Sequence, residues 1–274
     1  MPELPEVEII RRSLLPWVVG ATITSIRVRE RRLRCPINAD QLQKFGQGQK
    51  IADISRKAKY LLLHLESKAV VIVHLGMSGQ LLLCKNGTPL QKHDHVVFTL
   101  DNDKELRYND PRRFGLIEVV SPKEAVGYKR FQNLGLEPLS EACTGRYFYE
   151  CARGRKKAVK NFLTDAAIVV GVGNIYANEA LFRAGVSPKR SVKTIGLKTW
   201  ARICSAVKQV LKEALTQGGT TINNFRDGNG KPGFFQVSLQ VYGREGKPCL
   251  RCGSAIRRVV QAGRSSFYCP HCQR

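Results

Sequence analysis

The chain opens Met1-Pro2-Glu3-Leu4-Pro5-Glu6-Val7-Glu8 and closes on a run holding Cys249, Cys252, Cys269 and Cys272, so reactive groups stand toward both ends. Initiator methionine is normally removed when the next residue is small, which leaves a free secondary amine on Pro2. Such an amine attacks an aldehyde-like carbon and gives a cationic iminium, an electron sink of the kind lysines form in Schiff-base enzymes. No side chain supplies this group. Alone the start is a weak signal, because many ordinary proteins begin Met-Pro. Glu3 reads either as an acid/base group beside that amine or as an ordinary first-turn acid.

The four cysteines make C-x2-C-x16-C-x2-C within the last 26 residues. Two such knuckles place four thiolates tetrahedrally around one Zn2+, with a β-hairpin between them. A closed four-thiolate site keeps no open coordination position, so the expected metal is structural and the ribbon needs it to fold. Cys35, Cys84, Cys143, Cys151 and Cys204 are scattered and are expected to be unpaired, buried or inert thiols. The odd total of nine argues against a disulfide framework. Arg264 follows Gly263 at the expected hairpin tip, where its guanidinium either reaches phosphate or is simply solvated.

Three further constellations carry possible chemistry. Gly171-Val172-Gly173-Asn174 opens a helical run, a pattern that more often means tight helix packing but also suits phosphate binding by backbone N–H groups. Asp110-Pro111-Arg112-Arg113-Phe114-Gly115 puts two cations and an aromatic on a loop, and His74-Leu75-Gly76-Met77-Ser78-Gly79 sets a methionine between glycines. Apolar or aromatic wedges beside arginine fill the space left when a base leaves the stack. Core packing is the alternative for Met77 and Phe114.

These groups need elements to position them. The spacing predicts a helix from Pro5 to about Leu15, with Pro16 opposing its continuation. From Thr22 to about Val120 short β-rich runs alternate with turns, which predicts an antiparallel sandwich or barrel. Among them are Thr22–Val28, Tyr60–Leu65, Val70–Leu75, Gln80–Cys84 and His95–Leu100. After a hinge at Phe131–Leu139 the period becomes helical over Gly145–Ala152, Lys157–Asp165, Asn174–Ala184 and Leu197–Gln217. The last carries Trp200, Ile203, Val207, Val210, Leu211 and Leu215 on one stripe. The resulting division is a β-sandwich domain at 1–130, a hinge at 131–140, a helical domain at 141–237 with a loop at 220–233, and a ribbon at 238–274.

Forty-five Lys and Arg oppose twenty-two Asp and Glu, for a net charge of +23. That imbalance favours a polyanion through counterion release. A membrane is a poor alternative, because the longest apolar runs, such as Ala69–Leu75, are far too short to span a bilayer. The acidic opening is unlike a signal peptide. A cytoplasmic protein facing nucleic acid is the expectation.

Taken together, Pro2–Glu8, Lys59-Tyr60-Leu61, His74–Gly79, Asp110–Gly115, Gly171–Glu179 and the terminal ribbon resemble the bacterial formamidopyrimidine-DNA glycosylase family, in family order and over essentially the whole length. The resemblance implies an α+β protein: a β-sandwich flanked by helices, then a helix–two-turn–helix domain with a zinc ribbon. It implies excision of oxidised purines (8-oxoguanine, formamidopyrimidines) from double-stranded DNA, followed by cleavage at the abasic site, by a monomer. It makes Pro2 the nucleophile, Glu3 the acid/base, Glu6 a seat for the N-terminal helix, and Lys59 an aid to β-elimination. Asn174 and Arg264 become a phosphate clamp, with Arg264 also tied to δ-elimination. Met77, Arg112 and Phe114 become the void-filling triad; His74, His93, Arg113 and, through a looser alignment, Arg155 become DNA contacts. The loop 220–233 becomes a lid over the lesion base. Ile9, Ser78 and Ala166 depart from or vary within the family pattern. An endonuclease VIII-type enzyme for oxidised pyrimidines is the near alternative, although that branch has Gly where Leu4 stands. A non-catalytic nucleic-acid binder is the distant one, opposed by intact Pro2, Glu3 and Lys59.

Overall fold

Helix α1 (Leu4–Val18) buries Val7, Ile10, Leu14 and Val18, a single stripe at three- and four-residue spacing. The sequence predicts an end before Pro16, but the helix runs through it. Pro16 sits exposed in the last turn, where it removes one backbone donor, and full burial of Val18 holds the final residues helical. The computed structural model describes residues 2–125, 127–218 and 239–274. The loop expected at 220–233 lies outside them. The described residues cluster into two compact units: 2–132 with 217–218, and 133–216 with 239–274.

In the first unit, β1 (Ile23–Val28) precedes α2 (Ala39–Gly46), and β2 (Ile51–Lys57), β3 (Tyr60–Leu65), β4 (Val70–His74) and β5 (Gln80–Lys85) follow. Then come β6 (Asp94–Leu100), β7 (Lys104–Asn109), β8 (Leu116–Val120) and the short α3 (Pro122–Ala125). The strands form two antiparallel sheets, ordered β1-β6-β7-β5 and β2-β3-β4-β8. One core lies between them: Ile26, Val96, Phe98 and Leu106 from the first sheet meet Ile54, Leu61, Leu63, Val71 and Val73 from the second. This is the expected sandwich. The apolar continuity of β3 and β4 has a local cause. Leu62, Val70 and Ile72 face away from that core into a second cluster covered by Tyr128 and Phe131, so both faces of these strands are dry. Helix α2 falls inside the region read as all β. Its signal was present in Asn38, whose side chain accepts from Gln41 N at 3.0 Å, and in the fully buried Leu42.

The second unit holds α4 (Gly145–Ala152), α5 (Val159–Leu163), α6 (Asn174–Arg183), α7 (Leu197–Thr216), β9 (Arg257–Gln261) and β10 (Arg264–Tyr268). Phe148, Phe162 and Trp200 are fully buried and stack with ring centroids 5.1 to 6.3 Å apart. The stripe of α7 is as read, except that Ala214 rather than the half-buried Leu215 completes it. Strands β9 and β10 pair with Gln261 opposite Arg264. Their two-residue turn, Ala262-Gly263, has positive φ at both positions, the geometry that matches hairpin twist.

Candidate functional site

The first functional group is built at the head of α1. Glu3 is the N-cap residue: its side chain accepts from the Glu6 backbone, and its own N–H donates to Glu6 Oε2 at 2.7 Å. Both carboxylates are almost completely buried, at 2% and 1% exposure. This reciprocal box fixes the backbone angles of Glu3 and holds the half-buried Pro2 in one place ahead of the helix. Lys59 lies in the two-residue turn between β2 and β3, where Ala58 has φ 55°. A chain of contacts ties that turn to α1. Glu8 pairs with Arg56 at 3.3 Å, and Arg56 Nη1 donates to the Ala58 carbonyl at 2.8 Å. Burial raises the Glu8 pKa, but hydrogen bonds from Arg11 and Arg12 with the charge of Arg56 hold it below its ordinary value. Glu8, part of the opening motif, and Arg56, which sequence reasoning did not single out, join this turn to α1.

Two loops present the next group. Met77 and Phe114 are 40% and 45% exposed, so neither is core, and Arg112 lies over the Phe114 ring at 4.7 Å. The loops touch through glycine. A Cβ on Gly76, which has φ +62°, would stand 2.4 Å from the Phe114 carbonyl carbon, and one on Gly115 would collide with Tyr108 Oη. Asp110, fully buried, organises the second loop. Its carboxylate accepts from Ser78 Oγ at 2.6 Å, Gly115 N at 2.9 Å and Tyr108 Oη at 3.1 Å, and its carbonyl lies 2.7 Å from His95 Nε2. Burial and the Asp110 charge push the Tyr108 phenol well above its ordinary range, so it stays a donor. His93 is half-buried with its ring 6.0 Å from His95. Arg113 pairs with Glu30 at 3.0 Å. His74 accepts from Gly76 N through Nδ1 and so shapes the turn that carries Met77. Asp110 and His95 were not singled out from sequence; only the Asp-Pro start of the loop hinted at the first.

In the second unit, α6 grips the hairpin. Asn174, its first residue, donates from Nδ2 to the Ser265 carbonyl at 2.9 Å. One turn on, Asn178 Oδ1 accepts from Phe267 N at 2.7 Å. Glu179 accepts from the backbone N–H groups of Gln240, Val241 and Tyr242 at 2.8 to 3.0 Å. These contacts set Arg264, exposed at the head of β10, next to the residue Asn174 holds. Asn174 Oδ1 is buried with no hydrogen-bond partner among the described residues. Arg155 is exposed and its charge helps lower the Asp165 pKa, behind the hydrogen bond from Lys157.

Cys249, Cys252, Cys269 and Cys272 converge with all four sulfurs within 4.8 Å of one another. The Cys249–Cys272 and Cys252–Cys269 separations are 3.9 and 3.4 Å, close to the roughly 3.8 Å edge of a tetrahedron with Zn–S bonds of about 2.3 Å. Backbone N–H groups of Arg251 and Cys272 donate to Cys249 and Cys269 sulfur at 3.4 Å, as thiolates require. The residues fit one structural zinc.

A β-sandwich headed by a capped helix, continuing into a helix–two-turn–helix unit with a four-cysteine ribbon, defines a class of zinc-ribbon α+β proteins. Residues 1–117 match the formamidopyrimidine-DNA glycosylase N-terminal domain, 134–226 the H2TH domain of the same enzymes, and 246–274 a zinc finger found in FPG and IleRS. Formamidopyrimidine-DNA glycosylases of Magnetococcus marinus and Pseudomonas paraeruginosa are each 47% identical, with both chains covered in full. A Lactococcus lactis FPG variant solved with Fapy-dG-containing DNA superposes with a TM-score of 0.93 at 34% identity over 100% of both chains. The Lactococcus lactis enzyme with abasic-site DNA gives 0.91 at 34% over 99% of both. The chain belongs to the formamidopyrimidine-DNA glycosylase family.

Proposed function

We propose that this chain is a bifunctional DNA glycosylase and abasic-site lyase that excises oxidised purines from duplex DNA in base excision repair. The reciprocal Glu3–Glu6 box carries the reading, because it fixes Pro2 at the head of α1 with a buried carboxylate beside it. With Met1 removed, the neutral Pro2 nitrogen attacks C1′ of the damaged nucleotide, the C1′–N bond pair departs with the base, and the proton released from the Pro2 nitrogen passes to that base. Glu3 then donates a proton to the ring oxygen as C1′–O4′ breaks, leaving an iminium on Pro2. The cation acidifies the C2′ proton, whose loss expels the 3′-phosphate, and a second proton loss expels the 5′-phosphate. Lys59 assists the first elimination and Arg264 the second. Water finally releases the sugar fragment and restores the amine.

The remaining groups bind. Asn174 and Arg264 hold phosphate of the extruded nucleotide, Met77, Arg112 and Phe114 fill its place in the duplex, and His74, His93, Arg113 and Arg155 contact DNA. The four cysteines hold a zinc ion that keeps the ribbon folded. The domain limits follow the reading of the sequence: catalysis at 1–130, hinge at 131–140, DNA binding at 141–237, ribbon at 238–274. The working unit is a single chain acting on DNA in the cytoplasm.

Borohydride reduction on abasic DNA tests the central step. A covalent adduct at Pro2 is expected, together with an intact mass lacking Met1, and retaining Met1 should abolish trapping while DNA binding persists. An adduct on an interior lysine would reject Pro2. The Lactococcus lactis enzyme has also been solved with DNA containing an oxidised pyrimidine, which favours testing a second substrate class. Paired duplexes with 8-oxoguanine and thymine glycol separate the two preferences, with faster cleavage of the first expected.

A further inference from the structure

The outer face of the β2-β3-β4-β8 sheet carries a trough of about 530 Å³, floored by Leu62, Val70, Ile72 and Val120 and walled by Tyr128 and Phe131. That volume is in the range of small-ligand pockets, roughly 300–1,000 Å³, which are mostly apolar with a few placed polar groups. Here Lys57, Lys68 and His64 supply the titratable groups, and among the described residues no Asp or Glu lines the trough. The two lysines are unlike. Lys57 pairs in register with Tyr60 at the start of β3, and its Nζ stands over the Phe131 ring at 4.9 Å, so an aromatic face already meets its charge. Lys68 stands at the other end, in the turn that follows Leu65, exposed and with no ion-pair partner among the described residues. Glu66 in the same turn pairs with Lys50 instead, at 3.6 Å. Lys68 holds φ 67°, in the left-handed region that favours glycine, so the turn carries a basic side chain at a conformational cost. Half-buried His64 shares a 2.6 Å hydrogen bond with Ser55 Oγ through Nε2, which leaves Nδ1 for a further partner.

We propose that this trough binds a medium-chain fatty acid, its carboxylate at Lys68 and its chain laid over Leu62, Val70 and Ile72. The carboxylate answers the one ammonium of the trough that has neither a ring nor an acid beside it. The body is aliphatic because the floor is aliphatic. The Phe131 ring is already engaged by Lys57, by Tyr60 at 5.3 Å and by Tyr128 at 4.9 Å, so no free ring face remains to stack on an aromatic guest. A flexible chain needs none, and its burial against branched side chains supplies the affinity. None of these residues belongs to the groups assigned to sugar chemistry, phosphate, stack filling or zinc. The inference therefore stands apart from the glycosylase reading, and trapping on abasic DNA does not test it.

The test titrates the zinc-loaded full chain with hexanoate, octanoate and decanoate, read by calorimetry and by methyl NMR. Each added pair of methylenes should tighten binding about tenfold. Nuclear Overhauser contacts should run from the chain to the methyls of Leu62, Val70 and Ile72. Lys68→Gln should weaken octanoate about two- to fivefold and leave octan-1-ol unchanged. Ala52→Trp, at an exposed position on the rim, should weaken both. An affinity that does not rise with chain length would overturn the proposal, because it would mean loose capture of an anion by a basic surface. Contacts to methyls elsewhere, or equal affinity for octanoate and octan-1-ol, would do the same. So would a concentration-dependent dimer in sedimentation that Ala52→Trp abolishes, which would give this face to a second copy of the chain. The titrations of the unmutated protein decide the matter even where a variant fails to fold.

Discussion

Burial, followed by the charges of Lys59, Arg34 and Arg130, pushes the His74 ring down to about 4. In the unfolded chain the same imidazole titrates near its ordinary value of about 6.5. Between these values the unfolded state binds the extra proton, so stability rises with pH across that window and is fully present above it. It is lost as pH falls through the window toward 4, by up to roughly 3 kcal/mol. Denaturant melts of wild type and His74→Gln between these limits check this, since glutamine should flatten the slope. Asp110 makes a sharper case. Its carboxylate faces four donors, Ser78 Oγ, Tyr108 Oη, Gly115 N and Arg112 N, so in Asp110→Asn an amide N–H₂ must meet at least one of them. A loss of about 2–4 kcal/mol is expected, with weaker binding of lesion DNA, read from melting midpoints and affinity titrations. The residue types at 110–115 were legible as a loop with cations and an aromatic. The need for its aspartate was not, because its partners come from two other sequence regions.

At the scale of elements, local signals located most of the fold where packing agreed with them. Tyr60–Leu65 and Gly145–Ala152 match β3 and α4 residue for residue, since turn residues bound the first and Thr144 caps the second through an accepted bond from Tyr147 N. Pro16 misplaced the end of α1, because burial of Val18 is a tertiary fact that a proline rule does not contain. Helix α2 was lost for a different reason: it is short and stands between the β-rich runs of β1 and β2, with Asn38 as its one local start signal. The grip of α6 on the hairpin was also invisible, since Asn178 reads as an ordinary helical polar residue until β10 arrives beside it. Asn178→Ala would leave the buried Phe267 N–H without its acceptor, at a cost of about 1–3 kcal/mol. Zinc content should persist, because the four thiolates are untouched, while affinity for abasic-site DNA falls as Arg264 loses its fixed support. Loss of zinc instead would show that the contact holds the ribbon's fold rather than the aim of its hairpin.

For the whole molecule, charge is the property most fully legible in the sequence, and folding sharpens it. The acids are few, and several are committed to internal pairs: Glu8 holds Arg11, Arg12 and Arg56, and Glu30 holds Arg32 and Arg113. Such pairs leave the excess of +23 unchanged, and most of the remaining Lys and Arg stand where solvent and counterions reach them. Binding to duplex should weaken linearly in log–log form with salt, and 6–10 phosphate contacts would lower affinity by about 10³–10⁵ between roughly 50 and 200 mM. Two substitutions separate charge from fit. Arg155 is exposed, so Arg155→Ala should reduce the salt slope by about 1 while leaving the preference for damaged over intact duplex unchanged. Phe114 carries no charge and stands 45% exposed under the Arg112 guanidinium. Phe114→Ala should keep the slope and lower the lesion preference, because filling a gap in the stack involves no counterion. Affinity titrations of intact and abasic-analogue duplexes at several salt concentrations read both quantities at once. If Phe114→Ala altered the slope, or Arg155→Ala the preference, the division between electrostatic capture and stack filling would be wrong for this chain.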